Sequence, residues 1–138
     1  TGNVKPITEK AGRFITDVAF DMYHPFDSKY EYIATQMKRR LGNRDNVRVW
    51  YVPCTMNYRG DKTEEHCIRH LEGCYDLLKK EKNPGGLMCY TYYTFPHEVE
   101  SLGNIGLDHL FGQAPGDANW KKLHDKILMI GKECVGNK

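Results

Sequence analysis

Apolar residues recur every three or four positions along four stretches of the chain, the spacing that places side chains on one face of an α-helix. The four predicted helices cover residues 8–23, 28–41, 62–82 and 117–134. In the first, Phe14, Val18 and Met22 form one helical stripe. The clearest stripe, in the last, consists of Trp120, Leu123, Ile127, Ile130 and Cys134. A weaker stretch, 97–112, has internal glycines and predicts a frayed helix or a loop.

Residues that usually start and stop helices stand at the ends of these stretches. Ser28 and Glu31 have the spacing of a capping box, and so do Asp61 and Glu64. The sequence Asn-Pro-Gly-Gly at 83–86 predicts a firm stop after the third helix.

Two further segments, 46–54 and 87–95, are rich in β-branched and aromatic residues and predict extended backbone. Both are apolar on both faces, since neighbours such as Trp50 and Tyr51 point to opposite sides of a strand. With the helices, they predict a mainly α fold: a single domain over residues 1–138, crosslinked by disulfides, with four or five helices and two short extended aromatic segments. An α+β fold is the alternative.

Composition and charge exclude several classes of protein. The net charge of +2 comes from 20 basic and 18 acidic residues, a balance that does not indicate nucleic acid as a partner. No apolar run approaches the roughly 20 residues of a membrane span, and residues 1–20 lack the pattern of a signal peptide. The chain is therefore expected to be either cytosolic or a mature secreted form.

Five cysteines in 138 residues favour secretion, because reducing compartments rarely hold so many without a metal or redox role. Cys67 and Cys74 lie two turns apart on one helix, about 10.5 Å along its axis, which is beyond the reach of a disulfide. After the turn at 83–86 the chain can bring Cys89 to Cys74, and this pair is the predicted disulfide. Cys67 then pairs with Cys54 or Cys134. One thiol remains unpaired, and the sequence is compatible with a disulfide-linked or a non-covalent dimer.

The segment Cys-Ile-Arg-His-Leu-Glu-Gly-Cys-Tyr resembles the catalytic helix of secreted phospholipases A2 in Cys67, His70, Cys74 and Tyr75. The resemblance covers nine positions and implies a small secreted hydrolase with His70 as the catalytic base. The chain departs from the family at Leu71, where the family has its calcium-binding aspartate. It also lacks a glycine-rich calcium loop upstream.

His66 and His70 are four residues apart on the same helix, a spacing at which two imidazoles can bind one metal ion. A third ligand would have to come from Cys74 or from another histidine, His97, His109 or His124. A metal site centred on His66 and His70 is therefore an alternative, and the main interpretation contains no metal.

The remaining chemistry lies in the aromatic residues, since the chain has nine Tyr, five Phe and two Trp. Tyrosine and tryptophan combine apolar area with a polar group and suit binding surfaces. The predicted ligand-binding residues are Trp50, Tyr51, Tyr90, Tyr92 and Tyr93. The sequence thus predicts a secreted, non-enzymatic binding protein without a cofactor, whose target is a small amphipathic molecule or another protein.

Overall fold

The computed structural model describes residues 9–21, 25–57, 59, 61–90, 106–111 and 119–136. Along the chain, the elements are α1 (Glu9–Gly12), β1 (Asp17–Asp21), α2 (Ser28–Arg40), β2 (Arg48–Val52), α3 (Glu64–Lys79), β3 (Pro84–Leu87), α4 (Leu107–Leu110) and α5 (Lys121–Gly136).

The three strands form one parallel sheet in the order β1-β2-β3, with α2 and α3 as the connections. Ala19 pairs with Trp50 between β1 and β2, and Tyr51 pairs with Leu87 between β2 and β3. The prediction of a mainly α, disulfide-crosslinked domain is wrong. The described part of the chain is a mixed α and β structure built around a parallel sheet.

The predicted helix 8–23 is a four-residue helix followed by strand β1. Of the predicted stripe, only Val18 lies in β1, where it is buried, whereas Phe14 precedes the strand and is 84% exposed. Met22 lies outside the described residues. A tertiary contact is made where the short helix ends. The guanidinium of Arg44 donates to the carbonyl oxygens of Gly12, at 2.6 Å, and Arg13, at 2.8 Å, which a longer helix would have used internally.

The other three predicted helices are confirmed as α2, α3 and α5, but their caps differ from the prediction. Asp27 caps α2 by accepting from the backbone N–H of Lys29, and Thr63 caps α3 by accepting from that of His66. Glu64 instead accepts from the backbone N–H of Leu123 at 3.0 Å, and so binds the first turn of α5.

Two apolar clusters form the core, both on the helical side of the sheet. The first joins Tyr30 of α2 and Leu78 of α3 to Val49 and Tyr51 of β2. The second joins α3, α4 and α5, with Leu123 at its centre and fully buried. Helix α3 therefore lies between the sheet and α5.

All five cysteines are free thiols. The predicted Cys74–Cys89 disulfide is wrong, because both residues are unbridged and the thiol of Cys74 donates to the Tyr30 hydroxyl at 3.4 Å. Cys67 and Cys54 are likewise unbridged, and Cys134 is exposed on α5. The prediction of secretion, which depended on disulfides, stays a prediction.

Candidate functional site

The side of the sheet that faces away from α2 and α3, called here the open face, carries exposed apolar residues. Strand alternation sends Val49 and Tyr51 toward the helices and Trp50 and Val52 away from them. Trp50 and Val52 are half-buried, whereas Ala19 and the adjacent Met88 are exposed, Met88 by 43%. Parallel sheets are normally covered on both faces, so this surface is a candidate for binding.

Trp50 lies at the centre of the open face and contacts all three strands. Its indole N–H donates to the carboxylate of Asp17 on β1 at 2.9 Å. On the other side its ring lies against Gly85 and Gly86 of β3, where a Cβ atom would come within 2.5 Å and 2.9 Å of ring atoms. The glycines that were predicted only to stop a helix therefore form a strand that makes room for the indole.

Charged residues border the apolar part of the open face. Arg48 forms an ion pair with Asp17, 2.8 Å between nitrogen and oxygen. Hydrogen bonds from Arg48 and then from Trp50 hold the pKa of the Asp17 carboxyl below its ordinary value. Asp21, at the other end of β1, is exposed and has no ion pair with any residue in the described ranges.

The structure separates the aromatic residues predicted to bind a ligand. Tyr51 is 1% exposed and points into the core, where its hydroxyl donates to the Glu81 carboxylate. Burial, followed by that hydrogen bond, raises the pKa of Tyr51. Tyr90 is 41% exposed and continues the sheet by a parallel bridge to Cys54. Tyr92 and Tyr93 lie outside the described residues.

His70, the proposed catalytic base of the hydrolase alternative, is a fully buried core residue. Its Nδ1 accepts the backbone N–H of Cys54 at 3.1 Å, which assigns the proton of the neutral ring to Nε2. The rings of Tyr30 and Phe26 pack edge-on against it. The contacts of His70 thus join α3 to the segment that follows β2.

His66, one turn earlier on α3, is only partly buried, but its Nε2 is enclosed and has no hydrogen-bond partner among the described residues. Burial and the neighbouring charge of Lys62 lower the pKa of this imidazole. The ring centroids of His66 and His70 are 6.0 Å apart. Within the described ranges no three His, Cys, Asp or Glu side chains converge to hold a metal ion. The metal alternative therefore lacks a third ligand there, while His97 and the side chain of His109 lie outside what the structure describes.

Cys54 and Cys67 form a buried thiol pair beside His70. Both thiols contact the carbonyl oxygen of Met56, at 3.7 Å and 3.4 Å. The hydrogen bond between the two thiols lowers the pKa of Cys54 and raises that of Cys67. The pair is closed to solvent, as both residues are 0% exposed.

Sequence reasoning identified Trp50 but missed the other residues of the open face. The available signal was the alternation in 17–21, where Val18 and Phe20 stand between Asp17, Ala19 and Asp21. Met88 and the two glycines gave no such signal, because their role depends on strand pairing.

Comparisons with known proteins do not identify the function of this site. No protein-family model, curated protein or solved structure matches this chain. None of the helices in the described ranges combines the length and apolar character needed to cross a bilayer.

Proposed function

We propose that this chain is a non-enzymatic binding protein that holds a partner protein on the open face of its sheet. The observation that carries the proposal is the exposed apolar surface contributed by all three strands around Trp50. Tryptophan is among the residues that contribute most to protein interfaces, especially when it is central and rigidly held. Trp50 meets both conditions, through Asp17 on one side and the glycines on the other.

The shape and charge of the open face define the partner. Small-molecule sites are concave, whereas this surface is one side of a three-stranded sheet with two glycines in β3. Asp17 is already neutralised by Arg48, while Asp21 has no such ion pair in the described ranges. The partner is therefore a protein with an apolar patch and a lysine or arginine at its border that approaches Asp21.

A crosslinking experiment with a matched control tests the proposal. A photoreactive residue replaces Met88 on the open face or, as the control, Met129 on α5; the two are 43% and 45% exposed. We expect a defined protein to be captured through position 88 and not through position 129. Equal capture through both positions would contradict a site on the open face.

The captured protein is then purified and its affinity measured. We expect Trp50→Ala to weaken binding about tenfold or more, and Asp21→Lys to weaken it further by charge repulsion. If a Trp50→Ala protein with a native circular dichroism spectrum binds the captured protein with unchanged affinity, the assignment of the site to the open face is contradicted. Capture of only a second copy of this chain would replace the partner with a homodimer.

The alternative, a small hydrolase or a metal protein centred on His70 and His66, rests on sequence spacing. It requires that His70→Ala abolish an activity or metal uptake. The contacts of His70 with Cys54, Tyr30 and Phe26 favour a role in packing. In that case the variant loses stability and nothing else.

A further inference from the structure

A second candidate site lies away from the open face, on the helical side of the sheet near the start of β2. It is a cleft of about 240 Å³ between the ends of α2 and α3. Its lining includes three buried apolar side chains, Leu41, Val47 and Val49. The cleft therefore offers an apolar wall to a molecule of fragment size.

Two of the cations that line the cleft already have acidic partners. Lys38 and Glu81 form an ion pair at 2.8 Å, with the Glu81 side chain only 8% exposed. Lys82 and Asp45 are 3.3 Å apart, and their side chains are 81% and 73% exposed. The second pair is long and solvated, so it contributes little and Lys82 can turn to another anion at small cost.

The third cation, Arg44, is bonded but not neutralised. Its guanidinium donates to the carbonyl oxygens of Gly12, Arg13, Ile15 and Leu41, which are neutral acceptors. Of the residues that the structure describes, none places a carboxylate in ion-pair contact with it. With Lys38 and Lys82 each matched by one acid, the cleft keeps one excess positive charge, on Arg44.

We propose that this cleft binds a small organic anion that combines one carboxylate-like group with a short apolar or aromatic part. The excess charge of Arg44, supported by Lys82 at the rim, selects the anionic group. The wall of Leu41, Val47 and Val49 takes the apolar part. This ligand is independent of the partner protein on the open face, and either proposal can fail without the other.

Three probes of similar size and different charge test the selectivity: benzoate, benzyl alcohol and benzylammonium. Each is titrated into the 15N-labelled full chain and followed through its amide resonances. We expect benzoate to shift the amides of Asn43, Asp45, Val47 and Asn83 in a saturable way. Benzylammonium should leave them in place, and benzyl alcohol should bind more weakly than benzoate. Equal shifts with all three probes, or none with benzoate, would overturn the proposal.

A pair of lysine variants tests the location. Lys82→Ala removes a largely exposed side chain from the cleft, and Lys79→Ala removes one that is 55% exposed and pairs with Asp76 outside it. We expect Lys82→Ala to raise the dissociation constant of benzoate about threefold or more, and Lys79→Ala to leave it unchanged. Equal effects of the two substitutions would mean that benzoate responds only to overall charge, and would overturn the site.

Discussion

The indole N–H of Trp50 donates a hydrogen bond to the carboxylate of Asp17, 2.9 Å away, across the boundary between β2 and β1 on the open face. Asp17 also binds Arg48, so one carboxylate orients both an aromatic and a cationic side chain. Such an arrangement pre-organises a binding surface, because the side chains lose little freedom when a partner arrives.

Substitution of Asp17 should therefore release Trp50. In a Trp120→Phe background, Asp17→Ala should make Trp50 fluorescence more accessible to acrylamide and shift its emission. Asp17→Asn keeps an oxygen acceptor but loses the charge, and its acrylamide quenching and emission should remain closer to those of the wild-type protein. If all three proteins give the same quenching constant, the hydrogen bond does not orient the indole.

A methyl group at Gly85 should destabilise the fold, since its Cβ would lie 2.5 Å from the Trp50 ring. We expect Gly85→Ala to lower the free energy of unfolding by about 1–3 kcal/mol in urea denaturation, the usual cost of overpacking. The control is Gly131→Ala on α5, where a Cβ has open space, and it should raise stability by about 0.5–1 kcal/mol. A Gly85→Ala protein as stable as wild type would show that Trp50 does not rest on β3.

His66 should make the protein less stable as the pH falls below 6.5, the ordinary pKa of histidine. Its folded-state pKa is lowered, so the unfolded chain binds more protons in this range. The stabilising contribution is therefore complete above pH 6.5 and is lost as the pH falls toward the folded-state value. Urea denaturation between pH 7.5 and 5 should show a steeper loss in wild type than in His66→Gln. Lys62→Ala removes only the second cause of the lowered His66 pKa, so this variant should keep most of the dependence of stability on pH. Parallel curves for wild type and His66→Gln would contradict the burial of Nε2.

Thiol reactivity should follow burial. Under native conditions an aromatic disulfide reagent should react fast with the exposed Cys134 and slowly with Cys54, Cys67 and Cys74. Burial also raises the pKa of Cys74 to about 12, which keeps it protonated. Unfolded, never-reduced protein should give five thiols, and mild reductant should not change its melting temperature. A count of fewer than five thiols would indicate a disulfide. It would then support the prediction of secretion that was made from the number of cysteines.

The sequence by itself determined the three long helices and strand β2. In these segments a single periodicity runs without conflict and sets the type of element, although the capping residues are Asp27 and Thr63 and not the predicted Ser28 and Asp61. It also determined that Trp50 and Tyr51 point to opposite faces, because side chains alternate along any strand.

Only the tertiary structure decided the remaining features. Residues 17–21 fit both a helix and a strand, and in the structure they pair with β2, while Arg44, 32 residues away from Gly12, binds the carbonyl group of Gly12 where the helix ends. The glycines at 85 and 86 lie in a strand paired with β2, and their lack of side chains leaves room for the Trp50 ring. The thiol of Cys74 binds the Tyr30 hydroxyl, and Cys54 and Cys67 form a thiol pair without a covalent bond. Each of these outcomes depends on long-range packing, which short-range periodicity does not encode.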